Sequence, residues 1–184
     1  MAIGPGRTQA QLAHFLNAVL ILCAFAYALA TYEGLPERFP VHFDATGSPD
    51  GWAEKSLAFW LLFPLMALGI TGLMYVLSLI VNIAKKNPKL VNIPNKQKFL
   101  ALPPELQEPV WRRIRGMLYW MAVPLNVMFI YILYFIRTKA VGREPVSFWW
   151  SLAALMAFFV VVIAGTWIGV HRAIREATSD PSVR

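Results

Sequence analysis

The sequence predicts an all-α polytopic membrane protein, a bundle of four transmembrane helices with a small turn-rich extracytoplasmic cap between helices 1 and 2. Three observations predict it. The 184-residue chain is 58% hydrophobic, with a mean hydropathy of +0.52, well above the roughly 45–50% of an ordinary soluble domain. Four runs lack Asp, Glu, Lys and Arg, at 12–30, 57–83, 117–136 and 148–170, and each exceeds the roughly 18 residues needed to cross a bilayer. The basic residues sit between those runs, which is how a helical membrane protein fixes its orientation.

The first span is expected over 12–32, the others over 57–83, 117–136 and 148–170, all within one membrane domain of residues 1–184. The loop 84–116 carries Lys85, Lys86, Lys89, Lys96, Lys98, Arg112, Arg113 and Arg115 against Glu105 and Glu108. The segment 33–56 has only Arg38 and Lys55 as basic residues. The positive-inside rule therefore places 84–116 in the cytoplasm, 33–56 outside, and both termini in the cytoplasm with Arg7, Arg172, Arg175 and Arg184. Loop 137–147, with Arg137, Lys139 and Arg143, runs against that bias. The net charge of +7 is thus a matter of membrane topology, and no nucleic-acid partner is expected.

The start of the chain resembles a secretory signal ending at Ala28-Leu29-Ala30, but its apolar run is longer than a signal core of roughly 7–15 residues. An uncleaved first span is expected. Cys23 is the single cysteine, which excludes an intrachain disulfide and leaves a small apolar packing role.

The spans hold no acidic or basic residue besides His14 and no internal repeat, which argues against a transporter or proton-coupled machine. Asn17 and Asn126 read as interhelical hydrogen-bonding groups contributing about 0.6 kcal/mol each. His14 reads as a solvated residue at the inner interface. Pro64 is a kink candidate. Trp60, Trp149 and Trp150 fit the outer interface, and Trp120 and Trp167 the inner one. Gly165 and Gly169 form a G-x-x-x-G helix-packing face, either for a second copy or within the bundle, and the alanines from Ala24 to Ala30 offer a similar face.

In the loop 84–116, five prolines exclude one long helix. Asn95 is expected to cap a short helix through Leu100, and Pro104 to start another. Trp111 to Arg115 reads as a juxtamembrane anchor, with Arg112, Arg113 and Arg115 facing lipid headgroups. The rival reading is a docking surface for a cytoplasmic partner.

The cap, 33–56, is shaped by its small residues. Pro36 and Pro40 hold their predecessors extended. Val41-His42-Phe43 alternates as a short strand or arm. Gly47 to Gly51 carries turn chemistry: Pro49 presets φ, Asp50 bonds its own backbone, and Gly51 can take φ > 0. Asp44, Thr46, Ser48 and Asp50 are spaced like the first ligands of a calcium loop, but Pro49 replaces the required glycine and Lys55 the bidentate glutamate. His42, Asp44 and Asp50 match no zinc spacing. No metal, no cofactor and no catalytic residue is expected. The candidate partner-binding residues are His42, Phe43, Asp44, Gly47, Pro49, Asp50, Gly51 and Trp52.

The stretch LPERFPVHFDATGSPDGWAEKS resembles the motif of the domain of unknown function 1648 family, matching at Leu35, Pro36, Pro40, His42, Phe43, Asp44, Gly47, Pro49, Asp50, Gly51, Trp52 and Lys55. NIPNKQKFLALPPELQ is similar to a downstream segment of that family. The resemblance covers about a third of the chain. It includes SdpI-type membrane proteins, which protect a bacterium from its own secreted killing peptide and in a signalling variant hold a transcriptional repressor at the membrane. Those proteins have more spans and a further C-terminal domain. The resemblance adds immunity or envelope sensing as a candidate role. The spans without transport chemistry and the cap without a nucleophile or oxyanion donors lead to the expectation of a non-enzymatic protein of the bacterial inner membrane whose outer cap binds a secreted peptide or envelope protein. The alternatives are a structural subunit of a larger membrane complex and a metal-dependent envelope enzyme.

Overall fold

A computed structural model describes residues 5–90 and 92–179. In chain order they form α1 (Pro5–Tyr32), β1 (Arg38–Phe43), β2 (Pro49–Glu54), α2 (Leu57–Ala84), a 3-10 turn (Pro88–Leu90), α3 (Lys96–Leu100), α4 (Pro104–Ala140) and α5 (Phe148–Ser179). Four helices, α1, α2, α4 and α5, are long and apolar enough to cross a membrane, so the chain is a multi-pass helical membrane protein, as the charge-free runs predict. The addition to an all-α fold is the two-stranded antiparallel hairpin β1–β2. Arg184 and the side chain of Arg7 lie outside the described residues.

Helix α4 is the hub, packing against α1, α2, α5 and strand β1. Its 37 residues reach roughly 55 Å at 1.5 Å per residue, well beyond a hydrocarbon core of about 30 Å. The helix therefore begins at Pro104, outside the third apolar run, and passes into it without a break. Pro109 lies inside it because a proline so near a helix start forfeits one hydrogen bond only. Pro124 sits deeper and is buried. One residue before the Trp120 carbonyl that this proline frees, the Tyr119 carbonyl accepts a hydrogen bond from Asn17 Nδ2 at 3.0 Å, which ties α1 to α4 at this level.

The long helices are tied at three levels. At the hairpin end, Ala28, Leu35, Phe39, Trp60, Leu133 and Ile136 form a closed core. At mid-depth, Asn126 Nδ2 donates to Asn17 Oδ1 and to Thr71 Oγ1, both at 3.0 Å, joining α1, α2 and α4. At the opposite, basic end, Phe99 and Leu102 from the connecting segment bury against Val110, Trp111, Val170 and Ile174. Glu108 accepts from Lys85 at 2.7 Å and from Arg115 at 3.0 Å there.

Several expectations change. Trp60 is fully buried, not an interfacial ring, because its indole N–H reaches a main-chain carbonyl inside the bundle. Trp149, Trp150 and Trp167 are exposed. His14 is half-buried rather than solvated. Its Nδ1 pairs with the Tyr75 hydroxyl, and its ring lies 4.4 Å from that of Tyr119. Cys23 faces outward. Of the alanine series, only Ala24 and Ala28 are buried, since a four-residue spacing keeps one helix face. Asn95 occupies the start of α3 with φ 52° and no side-chain capping bond. Its amide instead lies 3.3 Å from His171 Nδ1.

Candidate functional site

The hairpin is built from local chemistry. Asp44 Oδ1 accepts from the Thr46 hydroxyl at 2.6 Å, the Thr46 N–H at 2.8 Å and the Ser48 N–H at 2.9 Å. The Asp44 N–H donates to the Ser48 carbonyl, and Gly47, with φ 83°, turns the chain. The Thr46 hydroxyl, followed by the Ser48 N–H, holds the Asp44 carboxyl below the ordinary aspartate range. Loss of hydration opposes them, and the Thr46 and Gly47 N–H groups add lesser contributions in the lowering direction.

The strands then pair Arg38 with Glu54, Phe39 with Ala53, Pro40 with Trp52, His42 with Gly51 and Phe43 with Pro49. That register leaves Val41 and Asp50 as bulged residues. A Cβ at Gly51 would stand 2.7 Å from the His42 Cβ, so glycine is required there. The bulge at Asp50 brings its carboxylate to 2.5 Å from His42 Nδ1. Asp44 and Asp50 are thus engaged by the hairpin itself, and among the described residues no three His, Cys, Asp or Glu side chains converge on a common point.

A groove of about 420 Å³ opens beneath the hairpin turn. One wall runs from Val41 to Gly47. The others are the last turns of α4, the α4–α5 connection with the start of α5, and Phe63 of α2. Phe43 meets Phe135 edge-on with ring centroids 5.0 Å apart. The Tyr131 hydroxyl donates to the Val146 carbonyl at 2.7 Å, and Lys139 pairs with Glu144 at 2.8 Å. These two bonds hold the connection against α4. The groove is floored by Phe43, Phe63, Ile132 and Phe135 and rimmed by His42, Asp44, Lys139 and Glu144.

Of the predicted residues, His42, Phe43, Asp44 and Gly47 line the groove. Pro49, Asp50, Gly51 and Trp52 lie on β2 and do not. Trp52 is 53% exposed. Sequence reasoning missed Tyr131, Phe135, Lys139, Glu144 and Trp149. The available signal was the loop 137–147, whose positive charges run against the orientation rule. The structure gives two of them protein surroundings: Lys139 faces Glu144, and the Arg137 guanidinium packs beside Gly34, with its Nε buried and lacking a hydrogen-bond partner among the described residues.

The predicted basic anchor divides. Arg112 and Arg113 are exposed, whereas Arg115 turns inward to Glu108 and to Asn82 Oδ1, 2.7 Å away. The glycine pair divides too. Nothing lies within 4 Å of where a Gly165 Cβ would be, whereas a Cβ at Gly169 would stand 2.7 Å from the Arg113 guanidinium.

Four apolar helices under a hairpin cap define a multi-pass helical membrane protein with a preformed groove at one end. The segment that builds the cap is where a family likeness lies: residues 19–68 match the family described as Domain of unknown function (DUF1648). An uncharacterized protein of Archaeoglobus fulgidus is 36% identical over 84 residues, which is 43% of this chain and 43% of that protein. The matched part therefore spans less than half of that relative. No solved structure matches the chain.

Proposed function

We propose that the protein is a non-enzymatic binding module of the plasma membrane, with the hairpin outward and the basic end cytoplasmic, that takes an apolar stretch of a peptide into the groove under the hairpin. One observation carries this reading: an aromatic-floored groove whose polar rim is fixed by the protein's own hydrogen bonds. Concave, largely apolar sites with a few fixed polar groups are the usual form of a ligand site. Engagement of Asp44 and Asp50 within the hairpin leaves neither poised as a general base, which supports binding over catalysis. Together with the resemblance of the cap to the domain of unknown function 1648 family, which includes SdpI-type proteins, this favours a role in immunity to a secreted peptide or in envelope sensing.

The test is photocrosslinking in native membranes from Thr46 and Ser147, on opposite walls of the groove, with Leu79 on the outer surface of α2 as control. A peptide or envelope protein captured at both groove positions and not at Leu79 supports the reading. Identical labelling from all three positions would sink it. A structural-subunit role draws on Gly165, which has open space before it. Stoichiometric co-purification of a second membrane protein, lost on Gly165→Leu, would favour that role.

A further inference from the structure

At the basic end, α1 and α5 flank α4 without closing over it, leaving an opening of about 880 Å³. Its apolar walls include Leu12 of α1, Met117 and Trp120 of α4, and Val161 of α5. Arg112 and Arg113 stand among its lining residues, and among the described residues no carboxylate does. The nearby acid Glu108 is taken by Lys85 and Arg115. Neither Arg112 nor Arg113 has an acidic partner among the described residues. Glycines shape the α5 wall. Arg113 lies across the bare face of Gly169, and one turn away the missing side chain of Gly165 leaves the trough open.

Two guanidinium groups at the membrane boundary, continuous with an apolar trough running into the span, fit an amphiphile with an anionic head. A free anion would leave the trough unused. A packed apolar helix would leave both arginines without a counter-charge. We propose that this groove holds one anionic glycerophospholipid from the adjacent leaflet. Its phosphate lies between Arg112 and Arg113, and an acyl chain runs along Met117, Trp120 and Val161. Guanidinium forks suit phosphate oxygens, and basic pockets between membrane helices are a recurrent way to hold anionic headgroups.

The experiment is native mass spectrometry of the full chain released from nanodiscs of mixed phosphatidylglycerol and phosphatidylcholine. Retained phosphatidylglycerol should exceed phosphatidylcholine by on the order of tenfold after correction for composition. The double variant Arg112→Gln, Arg113→Gln should abolish the preference. Gly165→Leu, which fills the trough and keeps both charges, should remove the lipid itself. Lys98→Gln, an exposed charge outside the groove, should change nothing. Helicity by circular dichroism checks each variant, and the double arginine variant decides if Gly165→Leu does not fold. Equal retention of both lipids overturns the proposal, as does loss of the preference on Lys98→Gln. Release of the lipid by inorganic phosphate alone would assign the arginines to a free anion. A wild-type dimer made monomeric by Gly165→Leu, with no change in lipid, would assign the face to a second copy. Either result also overturns it.

Discussion

The indole N–H of Trp60 donates to the main-chain carbonyl of Ala28 at 2.9 Å, joining α2 to α1 directly beneath the hairpin. Phe39 of β1 meets the same ring edge-on, with centroids 5.6 Å apart. One side chain therefore ties two spans to the cap. Trp60→Phe keeps an aromatic ring and loses the donor, so it should lower stability by about 1 kcal/mol. Trp60→Ala also opens a cavity and should cost on the order of 3–5 kcal/mol. Thermal unfolding in detergent, with circular dichroism as the readout, checks both values and their order.

The Asn17–Asn126–Thr71 cluster makes a different prediction. Asn126 is 1% exposed and serves partners on two other helices. Asn126→Leu should destabilise the bundle by about 1 kcal/mol, since membrane hydrogen bonds average roughly 0.6 kcal/mol each and Asn17 Oδ1 loses its donor. Asn17→Val with Asn126→Leu should cost less than the two separate losses added, because the second change leaves nothing further unpaired. Simple additivity in a double-mutant cycle would show that the two amides act independently.

The hairpin turn should respond to acid in a defined direction. Asp44 titrates below its unfolded value because its carboxylate accepts from Thr46 and Ser48. A depressed folded pKa gives stability that is fully present above the unfolded value, about 3.9, and is lost as pH falls through the folded one. The amide resonances of Thr46 and Ser48 should hold their positions at neutral pH and shift together with a midpoint below the ordinary aspartate value. Asp44→Asn keeps an acceptor and should retain the turn without that midpoint. Asp44→Ala should lose the turn at every pH.

These cases show which parts of the structure are readable from sequence. The spans are legible because hydrocarbon imposes one rule, internal satisfaction of every backbone group, and long apolar runs are its signature. The turn is legible in kind but not in place: Pro49, Asp50 and Gly51, expected inside it, belong to strand β2, because the Asp44 carboxylate gathers the Thr46 and Ser48 N–H groups and closes the turn at 44–48. Which face of a span points inward is not legible where every face is apolar. Trp60 shows this: a tryptophan at the start of an apolar run looks the same whether it faces headgroups or Ala28. The groove was half legible. His42 and Phe43 belong to a recognisable motif, whereas Tyr131, Lys139 and Glu144 reach the site only through the packing of α4 against β1.

That division yields the last prediction, which separates the groove from the motif. Phe43 and Trp52 belong to the same hairpin, on paired strands, but Phe43 floors the groove and Trp52 points elsewhere. If the groove takes the ligand, Phe43→Ala should weaken capture at least about 30-fold, the effect of removing a buried aromatic anchor worth 2 kcal/mol or more. Ser147→Trp, which occupies the opposite wall with bulk, should weaken capture as strongly while leaving the hairpin motif untouched. Trp52→Ala should change it little. Capture is read as the yield of the crosslinked adduct from Thr46 at graded expression of the partner. The opposite ranking, with Trp52→Ala severe and Ser147→Trp silent, would move the binding surface from the groove to the outer face of β2.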